Sequence, residues 1–314
     1  MSMTRQILSA IIQVMNRFIL PVITALTIVF STSCGPASSS AEAASDSATY
    51  IENKGSDTIV NLALAWAERY QSNHPEIRIS VTGGGSGTGI ASLINGTVDL
   101  ANASRRIKEE EVEEAKSNGI DPVEHIIARD AIAVIVNPEN PVSQLTLKQI
   151  SNIYSGKYSN WTEVGGEDRP IVRLSRETNS GTHVYFLETV LRLGNSDDKT
   201  LFSMDTLLLP SSEGIIAEVR QNPNAIGYDG LGYVPDDLKM IAIAEEEGGA
   251  YVLPSIATVN DKSYPIARDL YMYTDGQPTG IVKEYLDWIL SPEAQEIVAE
   301  LGFVPASLTP DPSS

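Results

Sequence analysis

Between residues 49 and 128 the chain alternates short runs of β-type positions with runs of helical period, and each pair is joined by a loop rich in Gly, Ser and Thr. Thr49–Asn53 alternates as a strand and ends at Gly55-Ser56-Asp57-Thr58. Behind it Ile59, Leu62, Ala63, Trp66 and Tyr70 fall at i, i+3, i+4, i+7 and i+11, the spacing of an amphipathic helix whose cap is Ser56 or Asp57. Ile77–Thr82 alternates into the turn Thr82-Gly-Gly-Gly-Ser-Gly-Thr-Gly89, and Ile90–Ile94 continues helically. Val98–Ala103 predicts a third strand, followed by Ser104-Arg105-Arg106 and an acidic helix from Lys108 to Ser117. Three strand–turn–helix units in a row predict a parallel sheet whose C-terminal loops face a ligand.

The second half repeats the style without repeating the sequence. A second lobe is expected to start after Ile126–Ala128; Ala131–Val136 reads as a buried strand closed by Asn137-Pro138, and Leu147–Tyr154 as a short helix. Ile171–Leu174 predicts a strand feeding a second polar turn, Ser175-Arg-Glu-Thr-Asn-Ser-Gly-Thr-His183. After it Val184, Leu187 and Leu191 keep helical spacing, with Ser180 placed as the N-cap. Ala225–Tyr228 is a strand, Tyr264–Tyr273 is extended, and Gly280–Leu290 and Pro292–Leu301 are two closing helices.

The two glycine-serine turns carry the chemistry. A helix start offers unpaired N–H groups and the positive end of the helix dipole, and glycine lets the backbone come close to a ligand. The loop ends Ser56-Asp57-Thr58, Ser86-Gly87-Thr88, Ser104-Arg105 and Arg176 with Ser180-Gly181-Thr182 all present hydroxyls, N–H groups or a guanidinium. Together they suit one tetrahedral oxyanion held between two lobes, because four oxygens accept about a dozen hydrogen bonds and arginine supplies a planar fork. The first turn is not a nucleotide P-loop, since no lysine follows its last glycine and the G-x-G-x-x-G spacing is missing. His74, His125 and His183 share no metal-ligand spacing, so neither a metal nor a cofactor is expected. No histidine or lysine stands beside Ser86 or Ser180 in a motif, which disfavours a serine-nucleophile phosphoester hydrolase. Other charges read as structural: Glu109–Glu114 as a solvated helix face, Arg106 as a surface or lobe-bridging charge, and Arg129 and Asp130 as a hinge or salt bridge. His183 reads as a solvated neighbour of its turn, and Tyr228 as a candidate to line the cleft.

Composition fits this picture. The 314 residues, 42% hydrophobic, suffice for two α/β domains. A formal net charge of −19 and the lack of a basic stripe exclude nucleic acid as a partner, and an anion site must then work through local donors. Residues 1–33 read as an export signal: Arg5 and Arg17 precede the apolar stretch Phe18–Phe30, and no acidic residue comes before Glu42. Cys34, the single cysteine, follows Ser31-Thr32-Ser33 and resembles the lipobox of bacterial lipoproteins, with Ser31 where a leucine is usual. The serine- and alanine-rich stretch 34–48 then serves as a flexible tether. These features place the domain outside the cytoplasmic membrane, lipid-anchored through Cys34.

Six ordered blocks resemble the substrate-binding lipoprotein of the high-affinity phosphate ABC transporter: Gly55–Thr58, Thr82–Gly89, Asp99–Arg105, Ala128–Val136, Ser175–Thr182 and Ala225–Tyr228. Ser291-Pro-Glu-Ala-Gln295 and Gly302-Phe-Val-Pro305 are similar to its C-terminal end. The resemblance implies a two-lobed type II periplasmic-binding-protein fold of the α/β class. One lobe is formed by 49–129 plus 262–309 and the other by 130–261, with a tail at 310–314. It implies a hinge and an interlobe cleft for inorganic phosphate, passed on to membrane permease subunits by a monomeric receptor. Ser56, Asp57, Thr58, Ser86, Ser104, Arg105, Arg176, Ser180, Gly181 and Thr182 then become the phosphate ligands. Some members of that family place an aspartate after the third strand to accept the ligand's proton. Arg105 stands there here, and Asp57 is either the substitute acceptor or only a helix cap. Receptors for sulfate or molybdate share the fold and remain the alternative.

Overall fold

The computed structural model describes residues 49–306. The export signal, Cys34, the tether and the 310–314 tail lie outside the described residues. The first stretch runs β1 (Thr49–Gly55), α1 (Asp57–Asn73), β2 (Ile77–Thr82), α2 (Ser86–Ile94), β3 (Leu100–Ala103), α3 (Glu109–Ser117) and β4 (Pro122–Val136). Next come β5 (Gln144–Thr146), α4 (Leu147–Tyr154), β6 (Val172–Arg176), α5 (Gly181–Phe186), β7 (Leu207–Leu209), α6 (Ser212–Gln221) and β8 (Ala225–Gly230). The chain closes with β9 (Lys239–Met240), β10 (Ala242–Ala244), α7 (Ile256–Asn260), β11 (Ala267–Asp275), α8 (Gly280–Ile289), α9 (Pro292–Glu300) and β12 (Val304–Pro305).

The expected parallel pairing holds where the strand–turn–helix units are: β1 lies between β2 and β3, parallel to both. The sheet as a whole is mixed. β11 pairs antiparallel with β3 and with β4, and β4 then pairs antiparallel with β8, so the order is β2-β1-β3-β11-β4-β8-β6-β7. The strand read at 131–136 is the second half of one 15-residue strand, β4, which begins at Pro122. Its residues up to Ala131 pair with β11 and those from Ile132 with β8. Each end of β4 therefore belongs to a different lobe.

Two main cores follow from this. In the first lobe the apolar face of α1 buries Ile59, Leu62, Trp66 and Tyr70 against Ile51, Ile77, Leu270 and Tyr285. Side chains of this kind contribute about 1.5–3 kcal/mol each on burial. The Trp66 indole N–H donates to the Ala294 carbonyl at 2.9 Å and ties α1 to α9. In the second lobe Val134, Trp161, Phe186 and Tyr228 centre the core, with Phe186 stacked on Tyr228 at a centroid distance of 3.6 Å. The helix after the second polar turn is α-helical only to Phe186. From Leu187 to Leu191 it widens into a π turn, with Arg192 N–H donating to the Leu187 carbonyl. Among the described residues no helix is long and apolar enough to cross a membrane.

Candidate oxyanion-binding site

The C-terminal ends of β1, β2 and β3 deliver three serines to one point. Ser56 holds the N-cap position of α1, yet its side chain does not cap the helix. It donates instead to Ser104 Oγ at 2.9 Å. Ser86, the first residue of α2, lies with its Oγ 3.2 Å from Ser104 Oγ and accepts the Ser104 N–H at 3.0 Å. All three serines are buried. Gly85, just before α2, has φ +89°, and a β-carbon there would stand 2.8 Å from the Asn179 carbonyl oxygen of the other lobe. Only glycine meets both conditions at once.

The second polar turn closes on this wall from β6. Ser180 caps α5 as the sequence predicts, accepting the His183 N–H at 3.4 Å. Thr182 Oγ1 is 2.8 Å from Thr58 Oγ1, so a hydroxyl of each lobe pairs with its counterpart. A β-carbon on Gly181 would fall 2.3 Å from Ser86 Oγ and 2.5 Å from Ser104 Oγ. At the rim Asn179 clamps the first turn, its carbonyl accepting from Gly87 N–H at 3.0 Å and its amide donating to the Gly84 carbonyl at 2.9 Å.

Charge gathers beneath the hydroxyls. Arg176, at the end of β6, is almost wholly buried and bridges the lobes. Its Nη2 donates to Asp57 Oδ2 at 2.8 Å and to the Pro210 carbonyl at 2.9 Å, and Nη1 donates to Ser212 Oγ at 2.8 Å. Asp229 Oδ2 lies 3.7 Å from the same Nη1. The Asp57 carboxylate spans the cleft, since its Oδ2 accepts from Arg176 of the other lobe while its Oδ1 accepts the Gly84 N–H of its own lobe at 2.8 Å. Asp57 is thus the first residue of α1 and a cross-lobe link, a role wider than the helix cap. Arg268 of β11 donates to Asp130 Oδ2 at 3.0 Å, to Thr182 Oγ1 at 2.9 Å and to the Ser104 carbonyl at 2.8 Å. Burial pushes the Asp130 carboxyl up to about 6 against the opposing pull of Arg268. Burial likewise raises Asp229 while Arg176 draws it down. Two guanidinium groups therefore face three carboxylates.

Ser56, Asp57, Thr58, Ser86, Ser104, Arg176, Ser180, Gly181 and Thr182 are brought together at or beside this junction. Arg105 stands apart from the hydroxyls: its Nη1 and Nη2 fork onto Glu111 at 2.7 and 2.6 Å. Glu111, expected on a solvated helix face, is only 19% exposed in its side chain. Burial would raise its pKa, but the hydrogen bonds from Arg105 and the Lys108 amide prevail and hold it below the usual carboxylate range. Arg106 is an exposed charge that pairs with Glu124 at 3.4 Å. Tyr228 supports the second turn from below, with its hydroxyl 2.6 Å from Ser175 Oγ and its ring wholly buried in the second core.

Two charged residues of the junction, Arg268 and Asp229, escaped the loop-based reading, whereas Asp130 makes a salt bridge of the kind read for it, with Arg268 at 3.0 Å. Arg268 did leave a signal. It occupies the buried phase of β11 between Ile266 and Leu270, where an apolar side chain is the norm.

His183 corrects another expectation, for it is buried rather than solvated. Its Nδ1 lies 3.0 Å from Ser175 Oγ and its ring centroid is 4.6 Å from that of Phe202. Burial holds its pKa below the ordinary 6.5. The unfolded chain then binds more protons than the native one as pH falls below about 6.5, so stability present at neutral pH is lost on acidification. Between pH 7.5 and 5 the melting temperature of the wild type should fall more than that of His183→Gln. Parallel falls would show that another group titrates.

The chain belongs to the PBP superfamily, whose domain matches residues 40–293. Its two lobes are those of the periplasmic-binding-protein fold. The phosphate-binding protein PstS of Pseudomonas aeruginosa is 30% identical over 272 residues, covering 81% of this chain and 82% of its own. PstS of Bacillus subtilis is 31% identical over 300 residues, covering 93% and 95%. Among solved structures, a putative phosphate ABC transporter substrate-binding protein with bound phosphate from Clostridium perfringens matches with a TM-score of 0.74 at 33% identity, covering 82% of this chain and 100% of that one. An ABC-type phosphate transport receptor from Vibrio cholerae gives 0.66 at 28% identity, with the same coverage of 82% and 100%.

Proposed function

We propose that this protein is an extracytoplasmic receptor that holds inorganic phosphate between its two lobes and presents it to the permease of an ABC importer. One observation carries the reading: hydroxyls of both lobes pair with one another at a single buried junction, and the Arg176 guanidinium reaches across it to Asp57, the residue between Ser56 and Thr58. The names of the relatives at 30–33% identity support the choice of phosphate.

The ligand set is Ser56, Asp57, Thr58, Ser86, Ser104, Arg176, Ser180, Gly181 and Thr182, with Arg105 outside it on Glu111. The hydroxyls that now pair with each other across the cleft turn toward the anion's oxygens when it enters. Arg176 offers its fork, and Arg105, held by Glu111, contributes positive field at the back. Hydrogen bonds to a charged group are worth about 1.5–3 kcal/mol each. Half a dozen leave micromolar or tighter affinity after the cost of ordering. The lobes, 49–129 plus 262–309 and 130–261, open and close about the strands they share, and contacts to both lobes favour the closed state. Acylation of Cys34 anchors a monomer to the membrane through the 34–48 tether.

Calorimetric titration tests the function. Phosphate should bind with micromolar or lower Kd, and a hundredfold excess over Kd should stabilise the fold by about 2.7 kcal/mol. No heat with phosphate at tens of micromolar protein would remove the reading. Tighter binding of sulfate or molybdate would move the receptor to that anion, and turnover of a chromogenic phosphoester would make it a hydrolase.

A further inference from the structure

We infer that Arg268 is a second anion-binding guanidinium of the cleft, positioned by Asp130 and reaching the ligand between Thr58 and Thr182. The inference rests on the phosphate-receptor reading and adds to it a residue that belongs to neither polar turn.

Position is the first argument. Arg268 and Asp130 are direct partners in the antiparallel register of β11 and β4. The guanidinium therefore projects from the two strands at the junction of the lobes rather than from a loop. Its Nη1 is pinned to the Ser104 carbonyl at 2.8 Å. Its Nη2 lies 2.9 Å from Thr182 Oγ1 and 3.4 Å from Thr58 Oγ1, one proposed ligand from each lobe. An anion accepting from both threonines sits within reach of the same nitrogen.

Unused donor capacity is the second. The Arg268 Nε is buried and has no acceptor, as is the Nε of Arg176. An orphaned N–H of this kind is costly to keep, and guanidinium groups with a spare edge suit an oxyanion. Solvent also reaches the group from one side: Arg268 lines an interlobe cavity of about 480 Å³ together with Arg105, Val184 and Glu188.

Charge is the third. Asp57, Asp130 and Asp229 all lie at the junction, and Arg176 is already shared between Asp57 and Asp229. With Arg176 alone the site would set one positive charge against three carboxylates, and a phosphate dianion would be repelled at short range. Arg268 is the second cation at that junction, and Asp130 fixes its orientation at 3.0 Å.

The competing role is a strut that only braces the two strands. Arg268→Lys keeps the charge and loses the planar fork. The double variant Arg268→Gln/Asp130→Asn removes both charges and avoids an unpaired buried carboxylate. Each is titrated with phosphate beside the wild type, with the melting temperature of the ligand-free protein taken in parallel. Arg268→Lys should bind about tenfold weaker and the double variant at least about a hundredfold weaker, as expected for a lost charge-assisted fork. Arg220→Ala, which removes an exposed pair with Asp237, should bind as the wild type does. A strut would lower the melting temperature and leave Kd within about threefold, and that result overturns the proposal. Should the double variant not fold, the Arg268→Lys ratio decides. A wild type that binds sulfate or molybdate but not phosphate defeats the phosphate reading alone, and the same ratios are then measured with that anion. A wild type that binds none of the three defeats both.

Discussion

Arg176→Ala should weaken phosphate binding by about a hundred- to ten-thousandfold. The estimate follows from two charge-assisted hydrogen bonds at about 1.5–3 kcal/mol each, with about 1.4 kcal/mol per factor of ten. The same change should cost the ligand-free fold stability, because it leaves Asp57 and the wholly buried Asp229 without the cation they share. Breaking a buried pair in this way typically costs about 3–5 kcal/mol. The two effects separate experimentally: Kd is taken by calorimetry on folded protein and stability by thermal melts. Arg176→Lys retains the charge and should recover most of the stability, while recovering little of the affinity that depends on the fork. His183→Ala, made in the same turn, removes contacts to Ser175, the Arg176 backbone and the Phe202 ring but leaves the Arg176 guanidinium in place, and should change Kd far less. A ranking with His183→Ala the weaker binder, or an Arg176→Ala protein within about tenfold of the wild type, would take Arg176 out of the site.

The stretches that were legible in sequence are those where local pattern and tertiary demand agree. β2 and α4 fall on their predicted residues, 77–82 and 147–154. The first is a clean alternation. The second begins with a reciprocal capping box between Thr146 and Gln149. The polar turns were legible for the same reason, since hydroxyls and glycines at strand ends have few other uses. α6 was missed because its apolar stripe is only Ile215, Ile216 and Val219, with Gly214 inside the first turn. β4 was read only from Ala131 because Arg129-Asp130 interrupts its apolar run. That interruption is itself the information. Asp130 is wholly buried, and its partner Arg268 lies 138 residues away. Compensation between distant charges leaves no period in either segment, so Asp130 was legible as a salt-bridge residue while its partner Arg268 was not. Glu111 illustrates the converse, an acidic residue in a run of acidic neighbours whose surroundings are decided by Arg105 and the Lys108 amide.

Gly181→Ala tests closure without touching charge. The φ of Gly181 is not in the left-handed region, so alanine fits the backbone and only its contacts matter. Its β-carbon would meet Ser86 Oγ at 2.3 Å and Ser104 Oγ at 2.5 Å, both closer than heavy atoms approach. Neither serine can turn away freely: Ser86 Oγ accepts the Ser104 N–H at 3.0 Å, and both side chains are fully buried. The cheaper response is for the lobes to stay apart by about the missing distance, which pulls Thr182 from Thr58 and the second turn from the anion. Phosphate affinity should fall about a hundredfold, the equivalent of roughly two charge-assisted hydrogen bonds stretched at the lower end of their range. The melting temperature of the ligand-free protein should change little, because opening relieves the clash and strands no charge. Small-angle scattering provides the second reading. Phosphate should compact the wild type and leave Gly181→Ala extended. A variant that binds within threefold of the wild type and compacts equally would mean that the lobes close on the anion through some contact other than this turn. The contrast with Arg176→Ala then assigns the energy of the site, since one change removes charge from a closed cleft and the other holds a fully charged cleft open.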